Sequence, residues 1–173
     1  MPRVFFGAFL DETARAGVSR LVESLRLSGQ PVPAENYHLT LAFVGSVTEA
    51  RLEALKGIGA ALRGAPCRLR FDALDHFRRA RVLALTAREC PEPLARMRER
   101  LLAALEREAF AIDGEGFTPH VTLARKVRQA PVATRLPALD FTMREVSLIA
   151  SDTSGPVTRY TVVATWPLLD ERG

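Results

Sequence analysis

His38-Leu39-Thr40-Leu41-Ala42-Phe43 and His120-Val121-Thr122-Leu123-Ala124-Arg125 are two near-copies of one hexapeptide, 82 positions apart. Each reads as a strand, because branched and apolar residues alternate with polar ones at a period of two. Residues two apart on a strand point to the same side, so His38 and Thr40 share one face and Leu39 and Leu41 the other. The same holds for His120 and Thr122 against Val121 and Leu123. Strict alternation sends the sixth residues, Phe43 and Arg125, to the apolar face. They reach the histidine face only if a bulge interrupts each strand, or the strand ends, near Ala42 and Ala124.

Working outward, each copy closes a strand–helix–strand unit. In the first unit, Val4–Leu10 reads as a buried strand and Asp11 as the cap of a helix. Ala14, Val18, Leu21, Val22 and Leu25 line one face of that helix. Gly29, Pro31 and Pro33 mark a loop before the strand Tyr37–Val44. In the second unit, Arg81–Ala87 reads as a strand and Pro91 as a helix first turn. Leu94, Met97, Leu101 and Leu105 then form one face, and strand Phe117–Ala124 follows the Gly-rich loop Asp113–Gly116. Elsewhere Thr48 caps a helix carrying Leu52, Leu55 and Leu62. Strands are read at Cys67–Leu74, Met143–Ala150 and Thr158–Trp166, and Gln129–Ala138 is a Pro-containing loop. Two units with matching strands argue for an internal duplication, over about 4–44 and 82–124, within one bilobal domain spanning 1–173. The expected fold is α+β, with two mainly antiparallel sheets flanked by helices around a central cleft and related by a pseudo-twofold axis.

Composition fits a folded globular chain: 173 residues, 47% hydrophobic and 25% charged, which excludes a disordered or collagen-like protein. No apolar run approaches the ~20 residues a membrane span needs, and no cleavage pattern follows Met1-Pro2-Arg3, so the expected compartment is the cytoplasm. Cys67 and Cys90 stand apart without metal-ligand spacing and read as two buried free thiols, with no metal and no cofactor expected. The net charge of +4 is unevenly spread. Seven arginines fall in Arg63–Arg88 against Asp72 and Asp75, and Arg125, Lys126, Arg128 and Arg135 follow with no acid among them. Such segments suit an anionic partner.

Only three histidines exist, and two of them head the repeated motifs. His76 has no matching partner and reads as structural. Two imidazoles facing one another suit an in-line displacement at phosphorus, with one as general base and the other as general acid. A free pKa of about 6.5 lets neutral and protonated copies coexist near neutral pH. Thr40 and Thr122 offer small neutral donors for non-bridging phosphate oxygens, where carboxylates would repel the anion.

These motifs, with Val4–Ala8, Asn36–Gly45, Phe117–Arg125 and, more faintly, Thr158–Tyr160 and Trp166, resemble the 2H phosphoesterases. The similarity is greatest to the bacterial RNA 2′,3′-cyclic phosphodiesterase group, also called 2′-5′ RNA ligase. The resemblance implies metal-independent opening of RNA 2′,3′-cyclic phosphates to 2′-phosphates. It implies that His120 activates water and His38 protonates the departing 3′-oxygen. Thr40 and Thr122 would bind phosphate oxygens, and Arg125 and Phe43 would meet phosphate and nucleobase. The implied partners are RNA ends or small nucleotides bearing a 2′,3′-cyclic phosphate, met by a monomer. Three alternatives stay open: 2′-5′ ligation, hydrolysis of another small cyclic or 2′-5′-linked nucleotide, and a non-catalytic RNA-binding module.

Overall fold

A computed structural model describes residues 1–112, 116–131 and 136–170. Strand β1 (Arg3–Phe9) leads into helix α1 (Glu12–Ser24), and the short strand β2 (Gln30–Pro31) precedes β3 (His38–Ser46). Helix α2 (Glu49–Ala61) and strands β4 (Cys67–Phe71) and β5 (Ala73–Phe77) follow. The second half passes through β6 (Val82–Thr86), α3 (Glu92–Arg107) and β7 (His120–Arg125). Strands β8 (Leu139–Met143), β9 (Glu145–Asp152) and β10 (Arg159–Pro167) come last.

Local chemistry sets the helices. The Asp11 carboxylate accepts from the Ala14 amide at 2.8 Å and the Thr48 hydroxyl from the Arg51 amide at 3.3 Å, each satisfying a donor that the first helical turn leaves unpaired. Pro91 precedes α3, whose Leu94, Met97, Leu101 and Leu105 are all buried. Together with Phe6, Leu39, Leu41, Leu55, Leu69, Phe71 and Leu85 they form the core between sheet and helices. Close approach needs glycine in α2, where a Cβ on Gly59 would lie 2.2 Å from the Trp166 ring.

The main sheet runs β10-β9-β1-β3-β7-β6-β5, with β2 on the flank of β7, while β4 and β8 make a separate two-stranded sheet. All pairings are antiparallel. The α+β class with two antiparallel sheets and flanking helices therefore holds. The strand orders β9-β1-β3 and β7-β6-β5 mirror each other about the β3–β7 junction, and that junction is one residue pair, Leu39 opposite Val121.

Beyond that pair the two strands part, because each carries an extra residue. The register slips by one between Phe6 and Gly7 opposite Ala42 and Thr40, and between Leu83 and Ala84 opposite Ala124 and Thr122. Leu41 and Leu123 are the residues inserted. Their carbonyls are satisfied from outside those ladders. Leu41 O accepts from Arg98 Nε of α3 at 2.9 Å, and Leu123 O accepts from the Val32 amide at 2.8 Å.

Several elements differ from the sequence expectation. The single strand expected at Cys67–Leu74 is two, broken at Asp72. The Asp72 amide donates to Thr86 O at 3.0 Å and its carboxylate accepts from the Arg88 amide at 3.1 Å, turning the chain from the small sheet into the large one. Met143–Ala150 likewise divides at Arg144 into β8 and β9. The strand expected from Phe117 begins at His120, just past Pro119, which has no amide to give a ladder. The loop around Pro31 contains β2, paired with Arg125 and Ala124. Cys67 is buried as expected, whereas Cys90 is only half-buried; both are free thiols. Of the two expected loops, residues 113–115 and 132–135 lie outside the described residues.

Candidate active site

Both hexapeptides show one pattern of exposure: half-buried, buried, half-buried, buried, buried, exposed. The bulge is its cause. His38, Thr40, His120 and Thr122 sit opposite to Leu39 and Val121, which are fully buried. After Leu41 and Leu123 the alternation resets, so Ala42 and Ala124 are buried and Phe43 and Arg125 emerge on the open side. Unbroken alternation, which assigned Phe43 and Arg125 to the core face, is thus corrected: of a bulge and a strand end, the structure has a bulge, at Leu41 and Leu123.

The Leu39–Val121 pair decides how the four polar residues meet. One step to either side, antiparallel geometry sets His38 beside Thr122 and Thr40 beside His120, with all four side chains on one face. The histidines are then diagonal neighbours across the junction of the two strands. They stand side by side on adjacent strands of one sheet, not on two opposed sheets.

Each ring is held in the same way. Nδ1 of His38 lies 2.7 Å from the Asn36 carbonyl, and Nδ1 of His120 lies 2.9 Å from the Thr118 carbonyl. A carbonyl only accepts, so each Nδ1 carries the proton and donates it, leaving Nε2 free to take or give one. Asn36 is itself anchored, its side-chain amide donating to Thr158 O at 3.0 Å.

The surroundings of the two rings are unequal. Phe5, Phe9 and Tyr160 close around His38 at centroid distances of 4.9, 6.0 and 5.0 Å. This burial is the main cause that pushes the His38 pKa down; the Asn36 carbonyl opposes it, and repulsion from Arg125 and His120 lowers it further. Among the described residues His120 has one aromatic neighbour, Phe77, edge-on at 5.7 Å.

Two adjoining depressions of about 540 and 410 Å³ open beside His38, sharing His38, Arg125, Thr158 and Tyr160. Thr122 lines the first; Thr40 and Phe43 line the second. All the expected site residues except His120 border these depressions, and His120 adjoins them through the strand register. Phe43 carries the Arg3 guanidinium 5.3 Å from its ring centre. His76 faces elsewhere: its Nε2 donates to Val127 O at 3.0 Å, a structural role. Sequence reasoning missed Phe5, Phe9 and Asn36. Phe5, Gly7 and Phe9 do lie at period two on β1, but nothing in the sequence says that β1 is the neighbour of β3.

Among known proteins, the model of the 2′-5′ RNA ligase superfamily matches residues 10–155. The RNA 2′,3′-cyclic phosphodiesterase of Escherichia coli is 32% identical over 143 residues, covering 82% of this chain and 81% of that protein. The protein of the same name from Thermus thermophilus is 32% identical over 185 residues, covering 99% and 92%. Among solved structures, E. coli LigT in its apo form superposes with a TM-score of 0.86 at 28% identity over 98% of both chains. The same protein complexed with 3′-AMP also gives 0.86, at 28% identity, covering 98% of this chain and 99% of that one.

Proposed function

The chain belongs to the 2′-5′ RNA ligase superfamily, and from that premise we propose that it hydrolyses RNA 2′,3′-cyclic phosphodiester ends to 2′-phosphates. His38 and His120 are the acid–base pair. The observation that carries this reading is the pairing of two histidines on one face, each with Nδ1 committed to a carbonyl and Nε2 free.

Water bound at His120 Nε2 gives up its proton as its oxygen attacks phosphorus. The P–O3′ bond breaks in line, and His38 Nε2 delivers a proton to O3′, leaving the phosphate on O2′. Thr40 and Thr122 donate to the non-bridging oxygens, and Arg125 supplies positive charge at the rim. The acid role needs a protonated His38, which the burial of its ring disfavours. A bound phosphate monoanion restores that proton, because an opposite charge within a few ångströms raises an imidazole pKa. Phe43 offers a ring to the base of the cyclic nucleotide. The acting unit is one chain, read as a single bilobal domain over 1–173 whose segments 4–44 and 82–124 repeat. The shared bulge and the shared Nδ1–carbonyl bond support that repeat.

The decisive experiment is product analysis with a 2′,3′-cyclic-phosphate-ended oligonucleotide, following which ribose oxygen keeps the phosphate. A 2′-phosphate, formed with a bell-shaped pH–rate curve, is expected. A 3′-phosphate, or binding without turnover, overturns the assignment.

A further inference from the structure

Arg98 breaks the pattern of its own helix. Leu94, Met97, Leu101 and Leu105 form the buried stripe of α3, and Arg98, four residues after Leu94 and three before Leu101, falls inside it. The residue is half-buried, and none of the ion pairs among the described residues involves it. Taking a guanidinium out of water without a carboxylate is costly, and burial holds its pKa below the ordinary arginine value. What Arg98 gains instead is contact with both motifs. Its Nε donates to the carbonyl of Leu41, the residue inserted in β3, at 2.9 Å. Its guanidinium carbon lies 4.3 Å from the centre of the Phe117 ring.

Both contacts fall where the two strands part. Two residues on from the Leu39–Val121 pair, β3 has Leu41, and two residues back the facing segment has Pro119. Pro119 has no amide to offer the Leu41 carbonyl, and Arg98 supplies the donor. In the second motif the equivalent carbonyl, Leu123 O, takes a main-chain donor, the Val32 amide at 2.8 Å. Of the two bulges, the first alone thus hangs on a side chain, and that side chain comes from the helix of the other half. Leu41 follows Thr40, and Phe117 precedes Thr118, whose carbonyl holds His120 Nδ1. We propose that Arg98 is a positioning residue for the two-histidine reaction: bridging the first bulge and the entry to the second motif, it fixes how His120 stands to His38 and Thr40. The inference rests on the hydrolytic reading above and adds the part that holds acid and base in register. In-line displacement has both Nε2 atoms acting at one phosphorus, so a slip of about 1 Å between the motifs can cost about a hundredfold in rate.

The test compares the native chain with Arg98→Met, Arg98→Lys and Phe117→Leu on a 2′,3′-cyclic mononucleotide. Methionine suits the apolar stripe but leaves the Leu41 carbonyl without its donor. Arg98→Met should lower kcat about 10–100-fold while KM changes less than about threefold. Arg98→Lys keeps the charge and a donor but cannot lie flat on a ring, so its kcat should fall between the two; it carries the test if Arg98→Met does not fold. Phe117→Leu removes the ring alone and should also act on kcat. A native kcat in the folded Arg98 variants, or a loss confined to KM, overturns the proposal. Nitrogen-15 signals of the three imidazoles give a readout independent of turnover. In the Arg98 variants His120 should pass from a single Nδ1–H tautomer to a mixture, with His76 unchanged. An unchanged His120, or equal changes in all three rings, overturns the proposal. A native chain inert on the cyclic nucleotide would instead overturn the hydrolytic reading, and the imidazole signals would still decide the role of Arg98.

Discussion

At the scale of single residues, the chemistry rests on which nitrogen of each histidine is free. The Asn36 and Thr118 carbonyls hold Nδ1 as a donor in both rings, so tautomer and orientation are settled before any ligand arrives. Replacing His38 or His120 by Ala removes one proton-transfer group and should cost about 10²–10⁴-fold in turnover. Neither ring belongs to the apolar core, so far-UV circular dichroism should stay that of the native chain; wild-type turnover in either variant would refute the pair. His38 also makes stability depend on pH. Its folded pKa lies below the ordinary 6.5, so between the two values the unfolded chain binds more protons. The stability it contributes is complete above the unfolded pKa and is lost as pH falls through the folded one. Thermal melts of the native chain should therefore decline more steeply on acidification from about pH 7 than those of His38→Asn. Parallel declines would show that the cage of Phe5, Phe9 and Tyr160 does not disfavour the charged ring.

At the scale of elements, the bulges do what alternation cannot. They bring residues one, three and six of each hexapeptide to one side, and they part β3 from β7 so that a depression opens between them. Gly7 belongs to this device. It sits at the register slip opposite Thr40, and a Cβ there would lie 2.4 Å from the Leu39 carbonyl oxygen, with the Phe5 ring at 3.1 Å. Backbone cannot yield as a flexible side chain does, so Gly7→Ala should destabilise by about 2 kcal/mol or more. Differential scanning calorimetry should register a fall in Tm of several degrees; an unchanged Tm would mean that the strand relaxes freely. Helix positions, caps and apolar faces were legible along the chain, because each depends on neighbours within a turn or two. The breaks at Asp72 and Arg144 were not. They are made by hydrogen bonds and strand partners distant in sequence, and no local residue announces them.

At the scale of the whole molecule, one residue pair turns two strand motifs into one site. Leu39 and Val121 meet only because β3 and β7 are inner strands of the two halves. Since imidazoles and hydroxyls from a single chain supply the proposed chemistry, hydrolysis of a cyclic-phosphate end should survive EDTA undiminished. Loss on chelation, restored by a divalent ion, would require a different mechanism. What the amino-acid sequence determined by itself was the repeated motif, the residue types that can move a proton at a phosphate, and the face each shares along its own strand. Period and spacing are local properties of a chain, so they are readable without coordinates. Tertiary structure alone decided that the two faces lie side by side, that Phe43 and Arg125 turn outward, that aromatic rings from β1 and β10 bury His38, and that Phe77 stays open beside His120. Each of these follows from which strands become neighbours. That choice is made by packing the whole core, and no short stretch of sequence encodes it.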